Sequence, residues 1–380
     1  MTVMRPREPT ERHRAATSLE LFFDLCFVVA VSLAAAQLHH ALAEQHIGVG
    51  LLGYLMVFFA IWWAWMNFTW FASAYDTDDE RYRLTTLVQI AGALVLAAGV
   101  PSAFQQDLLV VTLGYLIMRL AMVAQWLRAA ASDPRRRPAS LRYAVGITVV
   151  QLGWLARLAL PGVWGLLGFV LLAVAEIAVP VWAERAEVTT WHPGHIAERY
   201  GCFTLIVLGE VVLGSTVALR EGLAEGGHLA PLLTLAVAGV VLVFSMWWLY
   251  FDTPADDLLT SLSAALRWGY GHYLVFAAVA AVGAGLELAV DFETGHTELS
   301  SLPAGLATAV PVAVYLSLVW LLQVRPRPEA GWLNAAFPLV ALLVLASPLT
   351  HAPVPVTAAL LATLVAAKIW HRHRVATTGG

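Results

Sequence analysis

Three features of the sequence predict an all-α, polytopic integral membrane protein of about twelve transmembrane helices. Of 380 residues, 59% are apolar and only 13% charged, whereas roughly a quarter of a soluble chain is charged. A soluble core enclosing so many hydrophobes would leave large apolar patches exposed. Second, twelve apolar stretches of about 17 to 26 residues each match the length needed to cross roughly 30 Å of hydrocarbon. Third, the basic residues sort between alternate loops, as a multi-pass topology requires. The stretches lack the alternating pattern of a membrane barrel, so helices are the element that satisfies their backbone groups in lipid.

The expected spans begin near residues 19, 47, 84, 108, 140, 163, 200, 229, 268, 303, 332 and 354. Polar or turn-forming segments punctuate them: Asp76 to Arg83, Asp133 to Pro138, Trp191 to Gly194, Asp252 to Asp257 and Arg325 to Pro328. With the N-terminus inside, nineteen of the 22 Lys and Arg fall in inside loops and tails. Arg157 and Arg220 fall outside, and Arg119 lies within a span. A missed or spurious helix would scramble this sorting, so an even number of spans with both termini cytoplasmic is expected. The basic start, apolar run and Ala34-Ala35-Ala36 resemble a cleavable leader. Glu20 and Asp24 inside that run, and its continuation past the alanines, favour an uncleaved first helix. Cys26 and Cys202 sit near the starts of apolar segments and read as small buried side chains, without a disulfide framework. Scattered basic residues give no nucleic-acid surface.

Similar features recur about 180 residues apart. Glu20 and "LFFDLCFVVAVSL" correspond to Glu198 and "RYGCFTLIVLGEVVL". Trp62-Trp63 with the ending "YDTDDE" correspond to Trp247-Trp248 with "FDTPADD". Two parallel six-helix repeats are therefore expected: a tail over 1–18, halves over 19–184 and 185–370, and a tail over 371–380. Several transporters place their substrate path between such halves.

Ionisable side chains inside hydrocarbon need a partner, a hydrated cavity or a position near the interface. Glu20 and Asp24 are four apart on one face of the first helix. Interfacial depth accounts for Glu20 more readily than for Asp24, which has Phe22, Phe23, Leu25 and Phe27 around it. Arg119 cannot shed its charge and requires a carboxylate, for which Glu176, Glu210 and Asp24 are the candidates. The densest polar segment, "WHPGHIAERYGCFTLIVLGE" at 191–210, places His192, His195, Glu198 and Arg199 at the cytoplasmic edge. Pro193 and Gly194 interrupt helix geometry between the histidines. The spacing lacks the regularity of a zinc-protease helix, so a hydrogen-bonded cluster is expected rather than a metal centre. His272 and Glu287 lie about 22 Å apart along one helix and cannot touch. His39 and His40 are expected to snorkel to the outer interface.

The run Ser18 to Ser32, the "WWAWMNFTWFASAYDTDDERYRL" block, the His192 to Glu210 segment, "WWLYFD" at 247–252 and "RWGYGHY" at 267–273 together resemble the bacterial low temperature requirement protein A (LtrA) family. The resemblance spans about residues 14 to 370. It implies a membrane protein connected with growth in the cold, and it implies no particular reaction.

The leading functional expectation is a transporter or channel for an ion or small solute. Asp24, Glu210, His272 and Glu287 would line a path between the halves, with Arg119 and Glu176 also near it. The alternatives are a membrane-embedded acid–base or metal-assisted enzyme acting on a lipid through His192, His195 and Glu198, and a structural envelope or cold-stress protein whose polar pairs specify helix packing. Membrane lipids are the expected partners, self-association is compatible with the sequence, and no cofactor motif is present.

Overall fold

A computed structural model describes residues 4–8, 11, 14–224, 228–328 and 331–378, the last six as backbone. Twelve α-helices run through the described residues: α1 Ser18–Ala43, α2 Ile47–Tyr75, α3 Glu80–Phe104, α4 Leu109–Ser132, α5 Arg137–Arg157, α6 Gly162–Glu184, α7 Pro193–Ala224, α8 Leu229–Phe251, α9 Leu262–Thr294, α10 Ser301–Val319, α11 Leu333–Ala346 and α12 Pro353–Thr378. The all-α polytopic expectation holds. Ten helices among the described residues are long and apolar enough to cross a membrane, α10 counting with its π-turn extension to Val324. The expected uniformity of the spans needs correction at two helices. Helix α5 carries Arg137, Arg142 and Arg157, and α11 runs only 14 residues before a 3-10 turn at Ser347–Leu349.

Two helices, α7 and α9, begin well over a turn earlier than hydropathy places them, and caps are the reason. Ser261 sits before α9 with extended backbone and accepts from the amide of Ala264. At α7, the Nδ1 of His192 accepts from the amide of His195, 3.1 Å away, and Pro193 occupies the first helical position. Proline there costs no hydrogen bond and arrives with helical φ. Pro193 and Gly194 therefore open α7 rather than interrupting it, and His195 and Arg199 share a face four residues apart. At the other end of the chain, α12 continues to Thr378, past the expected boundary at 370.

The chain divides into two compact units, Met1–Ala34 with Leu52–Cys202, and Ala35–Leu51 with Phe203–Gly380. In the first, α3 packs on α4, α4 on α5 and α5 on α6. Glycines let α3 and α4 approach to backbone contact. A Cβ on Gly114 would lie 2.3 Å from the Leu96 amide nitrogen and 2.7 Å from the Gly92 carbonyl oxygen. Without a hydrophobic drive between helices in lipid, such close packing supplies much of the attraction. Arg128 of α4 also grips Asp79, the residue that caps α3 by accepting from the Tyr82 amide.

In the second unit, α9 packs on α10, and α8, α10 and α11 all touch α12. Val275 to Leu286 of α9 are buried without interruption, the signature of a helix enclosed by protein rather than facing lipid. A Cβ on Gly285 would stand 2.4 Å from the carbonyl oxygen of Ala307 in α10. Asp252, just past α8, binds Lys368 of α12 at 2.7 Å and also pairs with Arg372.

Gly114→Ala is expected to lower stability by about 1–3 kcal/mol, because backbone rather than a flexible side chain opposes the added methyl. Thermal unfolding of the detergent-solubilised chain measures it; an unchanged midpoint contradicts this packing.

Candidate functional site: buried acid–base clusters

In the first unit, the start of α1 and the start of α7 bring four ionisable side chains together. Thr17 and Glu20 form a reciprocal capping box on α1. Glu20 Oε2 accepts from the Thr17 amide at 2.7 Å and hydroxyl at 3.0 Å, while the Glu20 amide donates to Thr17 Oγ1 at 3.3 Å. That fixes the carboxylate and turns Oε1 toward α7, where His195 Nε2 and Arg199 Nη1 each lie 3.0 Å away. One turn along α1, Asp24 binds Arg199 through both oxygens, with Nε at 3.1 Å from Oδ2, and accepts from Trp65 Nε1 at 2.7 Å. The Arg199 guanidinium also lies over the Phe68 ring. Glu20 is 1% exposed; Asp24, His195 and Arg199 are 0% exposed. Glu20 is thus enclosed by protein as completely as Asp24.

Beyond Glu20 Oε1, His195 Nε2 and Arg199 Nη1, which meet one another as ion pairs, the Tyr82 hydroxyl and His195 Nδ1 lack a hydrogen-bond partner among the described residues. Tyr82 is fully buried on α3. Sequence reasoning missed Tyr82 and Thr17. The Thr17-x-x-Glu20 capping box was the available signal for Thr17, whereas nothing local marks Tyr82.

The expected quartet His192, His195, Glu198 and Arg199 separates. His192 caps α7, donates its amide to Ser73 Oγ at 3.1 Å, and places Nε2 2.7 Å from the Glu11 carbonyl oxygen. Glu198 accepts from the Ala16 amide at 3.1 Å. Only His195 and Arg199 enter the buried cluster. Among the described residues, no group of three His, Cys, Asp or Glu is placed to hold a metal ion.

Around this cluster, the N-terminal segment docks on the exposed-backbone end of α2. Arg14 donates to the carbonyls of Ala72 and Ser73, Arg7 gives its amide to Ala74 O at 2.9 Å, and Thr190 donates its hydroxyl to the same oxygen at 3.2 Å. A guanidinium suits the negative end of a helix. Asp76 follows in the loop, 7% exposed. Burial, then the neighbouring charge of Glu20, pushes its carboxyl up to about 6, with Arg14 and Arg7 opposing.

A second carboxylate, Glu176 of α6, has a different environment. Its Oε1 accepts from the Tyr115 hydroxyl at 2.8 Å and Trp154 Nε1 at 3.2 Å; its Oε2 accepts from Trp63 Nε1 at 2.9 Å and from Arg119. Of the three candidate partners for Arg119, the structure selects Glu176. The pair is balanced in charge, and four donors from α2, α4 and α5 saturate the carboxylate.

In the second unit, Glu287 and Asp291 flank His39. His39 Nε2 lies 2.7 Å from Asp291, and Nδ1 lies 3.8 Å from Glu287. His39 is thus held by two acids. A Cβ on Gly214 would meet Glu287 Oε1 at 2.3 Å, so the absent side chain on α7 admits the carboxylate. Glu210, one turn earlier, repels Glu287 electrostatically. His272 is elsewhere in the unit. Its Nε2 accepts from the Tyr250 hydroxyl at 2.9 Å, and Nδ1 donates to Trp268 O at 2.7 Å, which leaves a neutral, fully bonded ring. Among the described residues, Asp24 and Arg119 have no partner in common, and neither do His272 and Glu287. Cys26 and Cys202 are free and half-buried.

Because Asp76 holds its proton more tightly when folded, ionising it costs stability as pH rises from about 4 to about 6. Asp76→Asn is therefore expected to raise stability by up to about 3 kcal/mol above pH 6 and to leave it unchanged near pH 4; pH-resolved thermal unfolding checks the sign. Removing one member of the second cluster, by Glu176→Gln or Arg119→Leu, is expected to cost about 3–5 kcal/mol. The double variant should cost much less than the sum of the two, and additive losses in a double-mutant cycle would contradict the pairing.

The sequence profile of the family described as "Bacterial low temperature requirement A protein (LtrA)" matches residues 15–369. An uncharacterized protein of Rhizobium meliloti (strain 1021), RA0937, is 28% identical over 350 residues, covering 84% of this chain and 80% of the relative. Both buried carboxylate clusters, from Glu20 to Arg199, lie inside the matched span, and the chain belongs to the LtrA family.

Proposed function

We propose that this LtrA-family membrane protein translocates protons, alone or coupled to an ion or small solute, and that Glu20, Asp24, His195 and Arg199 form the site that loads and releases the proton. The supporting observation is a charge mismatch in a buried place. Two carboxylates face one guanidinium, so the four-residue cluster carries one net negative charge while His195 is neutral; Arg14, held on the neutral α2 carbonyls, attracts Glu20 from outside the cluster without pairing with it. Isolated charge is costly in an apolar interior. One proton on His195 or a carboxylate, or one monovalent cation beside them, neutralises it. The unpartnered Tyr82 hydroxyl and His195 Nδ1 supply polar atoms for a water or ion that exchanges there. Glu176 lacks this property, since Arg119 balances it and four donors saturate it.

In this reading the chain sits in the bacterial inner membrane with both termini cytoplasmic, which places the cluster near the cytoplasmic face. A second reading, a structural protein of the cold-stressed envelope, draws support from the Arg119–Glu176 pair, whose completeness is what a packing element requires.

Reconstitution into liposomes with an internal pH-sensitive dye separates the two. Wild-type vesicles are expected to collapse a pH gradient faster than protein-free vesicles, across a series of added Na⁺, K⁺ and small organic ions. Asp24→Asn and His195→Gln are expected to reduce that rate at least tenfold, whereas Glu176→Gln retains it in whatever fraction remains folded. Gradient decay indistinguishable from empty vesicles under every condition would sink the transport reading and leave the structural one.

A further inference from the structure

Arg157, the last residue of α5, is a second buried cation with a different fate. It is 7% exposed. Its Nε donates to the Gly165 carbonyl at 2.7 Å, and its guanidinium lies over the Phe169 ring at 5.4 Å. The stem passes over Gly168 on α6, where a Cβ would come within 3.5 Å of Arg157 Cγ. Among the described residues no carboxylate lies within ion-pair distance of it, and its terminal nitrogens bind no protein acceptor. Among the described residues, every other arginine of this burial, Arg14 excepted, is paired with an acid: Arg119 with Glu176, and Arg199 with Glu20 and Asp24.

Arg157 also lines an open slot. Met56, Phe59 and Ala60 of α2, Val111 and Tyr115 of α4, Trp154 of α5 and Phe169 of α6 make its walls, and it contains a cavity of about 40 Å³. Its lining is mostly apolar: Thr112 adds one hydroxyl, and the Tyr115 hydroxyl and the Trp154 indole N–H are both engaged by Glu176. The site therefore has one unneutralised, partly accessible guanidinium beside a narrow hydrocarbon-lined recess. Asp107, whose carboxylate accepts from the Leu109 amide at the start of α4, forms no ion pair with Arg157. A free inorganic anion would use Arg157 and leave the recess empty; a neutral lipid would fill the recess and leave the charge unmet.

We infer that this slot binds an anionic phospholipid, its phosphate on Arg157 and the first part of one acyl chain between Ala60, Trp154 and Phe169. Guanidinium is suited to phosphate by its fork of donors, and a chain entering from the bilayer needs no aqueous route. This inference is independent of the proton-site proposal, since it uses no residue of that cluster.

The test uses the full chain in detergent, titrated with phosphatidylglycerol, phosphatidylcholine or inorganic phosphate, with retention read by native mass spectrometry and thermal shift. Phosphatidylglycerol is expected to bind wild type at least tenfold more tightly than phosphatidylcholine and to raise the melting temperature. Arg157→Gln should abolish the preference. Ala60→Phe, which fills the recess and leaves the arginine, should weaken phosphatidylglycerol at least tenfold while keeping the lipid-free melting temperature, and it carries the test where Arg157→Gln fails to fold. Equal retention of both lipids by wild type overturns the inference, as does unchanged preference in either folded variant. A thermal shift from inorganic phosphate equal to that from phosphatidylglycerol also overturns it, because the recess would then contribute nothing.

Discussion

A carboxylate held inside an apolar helical bundle must collect donors, and much of the architecture follows from how two such groups are served. Desolvating an ion costs several kcal/mol even after relaxation, so helices carrying acids are drawn to helices carrying bases and indoles. Glu176 recruits α2, α4 and α5 onto α6 through Trp63, Arg119, Tyr115 and Trp154. Asp24 recruits α2 and α7 onto α1 through Trp65 and Arg199. The two sites differ in charge balance: one guanidinium meets Glu176, whereas Glu20 and Asp24 share Arg199.

Helix α2 joins the two sites. Trp63 and Trp65 are two positions apart, so they leave the helix on nearly opposite sides, and each gives its indole N–H to a different carboxylate. The same helix ends where Arg14, Arg7, Thr190 and His192 gather on Ala72 to Ala74. A change in the charge of the Glu20–Asp24 cluster therefore acts on a helix that is anchored at its end and tied to Glu176 farther back. Asp76, with its carboxyl near 6, lies at that anchor, close enough to Glu20 for each charge to bias the other.

Much of this was legible from residue order. Hydropathy located every helix start to within a few residues except at α7 and α9, where capping by His192 and Ser261 adds polar turns that a hydropathy count assigns to loops. The acids and bases at odds with their apolar surroundings were also visible as such, among them Asp24, Arg119, Glu176, Glu287 and His272. Their roles were not. Arg119 had three possible carboxylates at suitable depth, and depth along a helix carries no information about which neighbour faces it. His192, His195 and Glu198 looked like one cluster because they are adjacent in sequence, yet a helix start at Pro193 sends them to different partners. Tyr82 and the His39–Asp291 contact join positions far apart in the chain and leave no local trace.

Composition and the spacing of apolar and basic residues were enough to establish a many-helix membrane protein, since the hydrocarbon acts on each segment separately and a single helix answers it alone. Pairing was settled by packing, because whether a buried arginine meets an acid depends on the rotation and approach of a second helix. That is why Arg119, Arg157 and Arg199, alike as residues in apolar sequence, become a saturated clamp, a cation without a counter-charge and the centre of an unbalanced acid–base cluster.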